Sequence, residues 1–533
     1  MAGYGAAPLG SVSYPVPPGA RYVAPNGNDA AAGTEAAPWR TLAHAVSAAP
    51  GGSTIVMRGG TYRESVEVPA TRSLTIQPAA GEEVWLSGSD PISGFVRDGG
   101  AWRKPGWTVE HTVTGLDPTL VNASHPLAGD PDMAFVDGRR LTQVANRSAV
   151  VPGTFFVDDL ADTLWIGDDP AGRNIEGAVR QDALIIRSSD TTVRGIGIRH
   201  YATPIQRLGA VKAQGDRITF EDLVVTDNAG AGLSAAGDGV RFSRGTAAGN
   251  GQLGIQANQA HRLVVEGSLL RGNNVERFSA IAASGGVKVT ESDGVVLRQN
   301  LAEGNLSHGL WLDLSSNNAT IVRNVSRDNL RAGIIVEMSV NHVIASNASI
   351  DNEAGVIVSE TSDVDLANNT LVGNLIAAHV VDGRRAPRPI DIRIRNNVMS
   401  SPEPSNRPLV IIDDVNRLRS GAVMRVSLDR NAYYRRSTAQ TPYLMAWTNY
   451  PSGKFVMRTV NDVRTKISQD RASVVAENVA TDPFVDDLTG GRYALPPTNA
   501  LVRTGLPLRP EVATALRIPA DAVVPVGVLP APG

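Results

Sequence analysis

Asparagine returns at a near-constant stride through the middle of this chain, and that regularity restricts the fold more than any other feature. Asn228, Asn250, Asn273, Asn305, Asn329, Asn352 and Asn374 are separated by 22, 23, 32, 24, 23 and 22 residues. A second series, Asn300, Asn324, Asn347 and Asn369, runs five residues ahead of it with steps of 24, 23 and 22. Between these positions lie short β-branched runs such as "GVVLRQN", "ATIVRN", "HVIASN" and "DVDLANN". Three short strands in each such unit cannot bury an apolar face alone, so the units must stack on copies of themselves. The expected fold is all-β, a right-handed parallel β-helix, with the Asn side chains satisfying one another in the turns. The N-x-[ST] triplets "NLS", "NVS", "NAS" and "NAT" are accordingly read as ladder positions rather than glycosylation sites.

Composition agrees with a turn-rich β architecture. Among 533 residues there are 53 Gly and only 5% aromatics, and no Cys, which excludes disulfides, thiolate metal sites and Cys nucleophiles. The formal charge of −3 leaves no basic stripe for nucleic acid and no polybasic membrane anchor. No apolar run is long enough for a transmembrane helix. The opening "MAGYGAAPLGSVSYPVPPGA" lacks the basic and apolar regions of a signal peptide and reads as a flexible lead-in. An exported protein freed of its signal begins the same way, and secretion is preferred over a cytoplasmic location.

Four regions are expected. Residues 1–92 hold the lead-in, a short amphipathic helix from about Trp39 to Ala48 that caps the solenoid's open edge, and the first coil. Over residues 93–180 the stride is lost and alternating, Trp-containing strands point to a small inserted antiparallel, sandwich-like β domain. Residues 181–403 form the main β-helix, and residues 404–533 read as irregular last coils with a C-terminal cap and tail.

The Gly-led strands "GLSAA", "GIQAN", "GVKVT", "GLWLD", "GIIVE" and "GVIVS" align on their glycines. Positions one and three after Gly are all apolar and face inward; positions two and four then face outward. The fourth-position column reads Ala236, Asn258, Thr290, Asp313, Glu337, Ser359, and the second-position column includes Lys288 and Trp311. Asp313 and Glu337 thereby become neighbours on adjacent strands, with carboxyls expected about 5 to 6 Å apart. Stacked like charges destabilise a sheet unless they serve a purpose. Trp311 is expected to be exposed beside them as a platform for a sugar ring. The 32-residue step before Asn305 adds a loop, "NVERFSAIAAS", that would wall one side of the column. His308 is either a structural turn residue or within reach of the site. Lys288 either binds substrate, stabilises the nucleophile's charge or is plain surface; Asn258 lies on the same outer column. Glu360 reads as a solvated turn residue. No phosphate loop, HExxH, zinc cluster or G-x-S-x-G elbow is present. No cofactor is called for, and no spacing specifies a structural Ca²⁺ site, which stays open.

"YVAPNGND" with "PWRTLAHAV" and "GGTYRE", and the closing "DPFVDDLTGGRYALPPTNALVRTGLP", resemble the ends of the pectate-lyase-like β-helix superfamily. "HGLWLD" followed one coil later by "GIIVE" is similar to glycoside hydrolase family 120, whose members are β-xylosidases built on a β-helix with a small β-sandwich. The resemblance implies Asp313 as nucleophile and Glu337 as general acid/base, with Trp311 and His308 lining the sugar subsite. It implies a retaining glycosidase acting on carbohydrate. A polysaccharide lyase with Lys288 as base and a non-catalytic carbohydrate-binding β-helix are the alternatives.

Overall fold

A computed structural model describes residues 3–111, 116–205, 208–385 and 388–529. The chain forms a right-handed parallel β-helix and divides into two compact units, one of residues 6–256 with 271–285, the other chiefly of residues 257–270 with 286–533. In each unit a coil contributes one strand to each of three parallel sheets. The coil of Leu301–Glu303, His308–Asp313 and Thr320–Val322 is followed by that of Val325–Arg327, Ala332–Glu337 and Val340–Ala345, paired strand for strand.

The Asn ladders are present, and their chemistry is complete. The Asn329 amide oxygen accepts from the backbone N–H and the side-chain Nδ2 of Asn305 at 3.1 and 2.8 Å. Asn329 Nδ2 donates in turn to Asn352 Oδ1 at 3.0 Å and to the Ala302 carbonyl at 3.1 Å. Both lone-pair sites and both N–H groups of each amide are used, so these buried side chains carry no desolvation deficit. Of the sequon residues, Asn305, Asn324 and Asn347 are fully buried ladder members, whereas Asn318 of "NAT" is exposed in a turn outside both ladders, bonded to Asp293 and Asn341. The second ladder does not stop at Asn369: it continues to Asn397 and Asn431 and ends on Asp470 and Ser473. The stride lengthens there because extra residues enter at other turns, which hid these coils from a reading based on period alone.

Glycine leads the site-bearing strands because the ladder comes so close. A Cβ on Gly309 would overlap the Ser326 hydroxyl, and one on Gly333 would overlap that of Ser349. Those hydroxyls donate to the carbonyls of Gly333 and Gly355 at 2.7 and 2.8 Å.

In the first unit the N-terminal helix runs Leu42–Ala48, starting three residues later than expected, because Trp39 bridges to Val23 as extended chain and Thr41 caps the helix. Leu42, Ala45 and Val46 are its buried face. The inserted region holds a four-stranded antiparallel sheet and a five-stranded, mainly antiparallel one, around Val136, Phe155, Leu164 and Ile166. Its first strand, Ser89–Pro91, follows the coil strand Val84–Ser87 with no break in pattern. The extra loop before Lys288 belongs to this unit and contacts the insert: Phe278 bridges to Val121, and Glu276 pairs with Arg140 at 2.5 Å. In the second unit the helix Pro510–Leu516 lies on the outer face of a sheet, burying Val512, Ala513 and Leu516 against Val322, Val343 and Ala345. Within the region expected to hold the C-terminal cap and tail, this helix is thus a cover for that sheet.

Among the described residues no helix is long and apolar enough to cross a membrane.

Two stability predictions arise. Asn329→Ala strands the donors of Asn305 and the acceptor of Asn352 in the interior, and is expected to cost about 2–3 kcal/mol, read from urea unfolding. His342 is buried in the solenoid interior, where desolvation pushes its imidazole down to about 4, and its Nδ1 accepts from the Ala319 N–H at 3.3 Å. An unfolded His takes up a proton near pH 6.5 that the native ring refuses. Its contribution to stability is therefore full above pH 6.5 and is lost as pH falls toward 4, by up to about 3 kcal/mol. Melting curves across that window should show a shallower acid loss in His342→Gln than in wild type.

Candidate functional site

The site is built on the outer face of one sheet of the second unit. Trp311 pairs with Ile335 and Leu312 with Val336, so the next outward positions, Asp313 and Glu337, fall on the same row of adjacent strands. Glu337 in turn faces Ser359. The inward residues Leu310, Leu312, Ile334 and Val336 are fully buried, and this apolar period of two is what turns the carboxylates out.

Each carboxylate has a cation. Lys288 Nζ lies 2.9 Å from Asp313 Oδ2, and the Leu314 N–H donates to Asp313 Oδ1 at 2.7 Å. Leu314 takes a left-handed turn (φ +47°), which aims that N–H back at the carboxylate. Asp313 is only 5% exposed and Lys288 8%. Glu337 is contacted by Arg385, from the loop after the strand Ile376–Asp382, and Arg385 also pairs with Glu360 at 2.5 Å. Burial works against the Arg385 charge, but the hydrogen bonds to Glu337 and Glu360 outweigh it and its pKa ends raised.

Trp311 departs from expectation. It lies on the outward column as predicted but is 2% exposed. Lys288 Nζ sits 3.5 Å from its ring centroid, His308 packs 4.7 Å away at a tilt of 56°, and Ile335 joins it in an apolar cluster. Strands about 4.8 Å apart bring long outward neighbours over one another. An outward position in the middle of such a sheet is therefore not an open one, and the indole face is no free sugar platform. Its Nε1 is buried without a hydrogen-bond partner.

His308 Nδ1 accepts from the Ala332 N–H at 3.3 Å, leaving the hydrogen of the neutral ring on Nε2. Asn258 is exposed at the end of Leu253–Asn258 and accepts from Thr290 Oγ1 at 2.7 Å, two strands from Asp313. Lys288, His308, Trp311 and Asp313 therefore form one contact cluster, with Glu337 on the neighbouring strand and Asn258 at its periphery.

Sequence reasoning missed two residues. Arg385 lies in a loop without a motif, and Glu360, read as a solvated turn residue, is 1% exposed. Glu360 is buried because the loop carrying Arg385 closes over it. One signal was available: the step from Asn369 to Asn397 is 28 residues, which places extra chain at a turn of this coil. Among the described residues no three His, Asp or Glu side chains converge as metal ligands.

Comparison with known proteins agrees with this architecture. A family model described as a right handed β-helix region matches residues 208–374, and one for a protein family of unknown function matches residues 25–69. The solved structure of XylC in complex with xylose superposes with a TM-score of 0.62 at 17% identity, covering 87% of each chain. The chain has the right-handed parallel β-helix fold. An uncharacterised Bacillus subtilis protein, YwoF, is 41% identical over 71 residues, and pectate lyase PEL9 of Emericella nidulans is 40% identical over 75 residues. Each match spans 13% of this chain, and only 15% and 18% of those two proteins.

The Lys288–Asp313 pair is buried, so removing one partner leaves an uncompensated charge. Lys288→Met should destabilise the protein by about 3 kcal/mol. Lys288→Met combined with Asp313→Leu should recover most of that loss in a double-mutant unfolding cycle.

Proposed function

We propose that this protein is a retaining glycoside hydrolase, β-xylosidase-like in its substrate. The observation that carries this reading is the pair Asp313 and Glu337, on one row of adjacent strands, each held by its own cation. Adjacent-strand spacing of about 4.8 Å suits the carboxyl separation of about 5–5.5 Å in retaining enzymes better than the 6.5–9.5 Å of inverting ones. The architecture shared with XylC, whose structure holds xylose, supports the sugar class.

In this mechanism Asp313, oriented by Lys288 and the Leu314 N–H, attacks the anomeric carbon. Glu337 gives its proton to the departing glycosidic oxygen as that bond breaks, and the sugar is left esterified to Asp313. Glu337, now ionised, takes a proton from water; the water oxygen attacks the anomeric carbon and the ester to Asp313 breaks. Product leaves with retained configuration and both carboxyl groups return to their starting states. His308 and Trp311, on the same strand as Asp313, are proposed to form the wall of the sugar subsite, with Asn258 at its edge.

A second reading, a polysaccharide lyase with Lys288 as base, is favoured by the short match to a pectate lyase. Against it, Lys288 Nζ is already engaged by Asp313 and lies on the Trp311 ring.

Wild type, Asp313→Asn and Glu337→Gln incubated with aryl glycosides and with uronate polymers separate the readings. A retaining hydrolase releases phenol from an aryl β-xyloside, loses this activity in Asp313→Asn, and loses about 10²–10⁴ of it in Glu337→Gln on substrates needing acid assistance. Ultraviolet-absorbing unsaturated products from a uronate polymer would establish the lyase instead. Sugar binding without turnover, equal in all three proteins, would leave a binding module.

A further inference from the structure

The loop between the strands Ile376–Asp382 and Ile392–Arg395 returns one side chain to Glu337, and what stands behind that side chain is unusually well built. The Arg385 guanidinium contacts Glu337 and pairs with Glu360 at 2.5 Å, while the Arg385 backbone N–H donates to the other Glu360 oxygen at 2.6 Å. Glu360 occupies a left-handed turn (φ +47°) immediately after Ser359, which itself pairs with Glu337. A Cβ on Gly383 would overlap Glu360 Oε1, so glycine there lets the loop close onto the carboxylate. The loop is tied down beyond Arg385 as well. Arg388 makes a two-pronged bond to the buried Asp382 at 3.1 and 2.8 Å, and Arg419 binds the same carboxylate at 2.9 Å. The Asn416 amide donates to the Gly383 carbonyl.

A fully buried glutamate is costly unless a cation answers it. Both carboxylates meet the same terminal nitrogen of the guanidinium, Nη2, so the place at which Glu360 holds that nitrogen is the place at which Glu337 finds it.

We propose that Arg385 is a positioning residue for Glu337 and that Glu360 is its anchor. Glu360 and the closed loop fix the position of Nη2, and that nitrogen turns the Glu337 carboxyl toward the oxygen of the leaving group. Glu360 balances the Arg385 charge whether Glu337 carries a proton or has given it up, so the arm keeps its place through both steps of the reaction. This assignment rests on the reading of Glu337 as the acid/base.

The test is leaving-group dependence. A dinitrophenyl glycoside departs without a proton, whereas a phenyl or alkyl glycoside of the same sugar requires one. In Arg385→Ala, kcat/KM for the phenyl or alkyl glycoside should fall about 30-fold or more, within the range of general acid catalysis. For the dinitrophenyl glycoside it should change by less than about threefold. Arg385→Lys should recover part of the loss, and Gly383→Ala should show the same selectivity in weaker form. Arg385→Ala takes the cation from the buried Glu360 and should lower the melting temperature, so both substrates are assayed well below the variant's transition and the ratio of the two losses is the readout. Equal losses on both substrates, or none on either, would overturn the assignment while Glu337→Gln keeps its leaving-group dependence. If Glu337→Gln lacks that dependence, or wild type cleaves no glycoside, the acid/base reading fails and the role of Arg385 falls with it.

Discussion

The buried amide-to-amide hydrogen bond between coils is the interaction on which the rest of this structure depends. Parallel strands have no hairpin to hold their register, and a slip of one residue would exchange the inward and outward faces of a strand. The ladders remove that freedom. Asn305, Asn329 and Asn352 satisfy all their donors and acceptors only when each coil sits squarely on the one before. The same register that completes the amides puts Asp313 beside Glu337.

Two carboxylates on neighbouring strands repel, and the fold answers each locally. Asp313 is matched by Lys288, one strand back on the same sheet, and Glu337 by Arg385, from a loop inserted at a turn. The two solutions differ in kind. Lys288 is part of the repeat and is itself packed against Trp311, whereas Arg385 is brought in by extra chain that Arg388 and Arg419, both outside the strands, tie to Asp382. Additions at turns leave the ladder intact, which is why Asn369, Asn397 and Asn431 stay bonded across steps of 28 and 34 residues.

Much was legible from the order of residues alone. Asparagine stride and the alternation of apolar positions were enough for the β-helix, and alignment on glycine was enough to pair Asp313 with Glu337. Trp311 was placed on the right column but given the wrong environment. Alternation tells which way a side chain leaves its strand; it carries no information on whether Lys288, His308 and Ile335 fold over it. Glu360 failed for the related reason that its burial comes from a loop two dozen residues further on. The helix Pro510–Leu516 was read only as part of a C-terminal cap and tail, because nothing local marks it as the cover of a sheet formed nearly two hundred residues earlier.

The sequence by itself determined what repeats: coil length, ladder positions, the direction of each side chain, and the neighbouring carboxylates, all of which follow from local periodicity. Tertiary structure alone decided what does not repeat. Which cation meets which carboxylate, how deeply the site is buried, and where the inserted loops close depend on contacts between segments far apart in the chain. Those contacts are set by packing and charge compensation in three dimensions, and no period in the sequence encodes them.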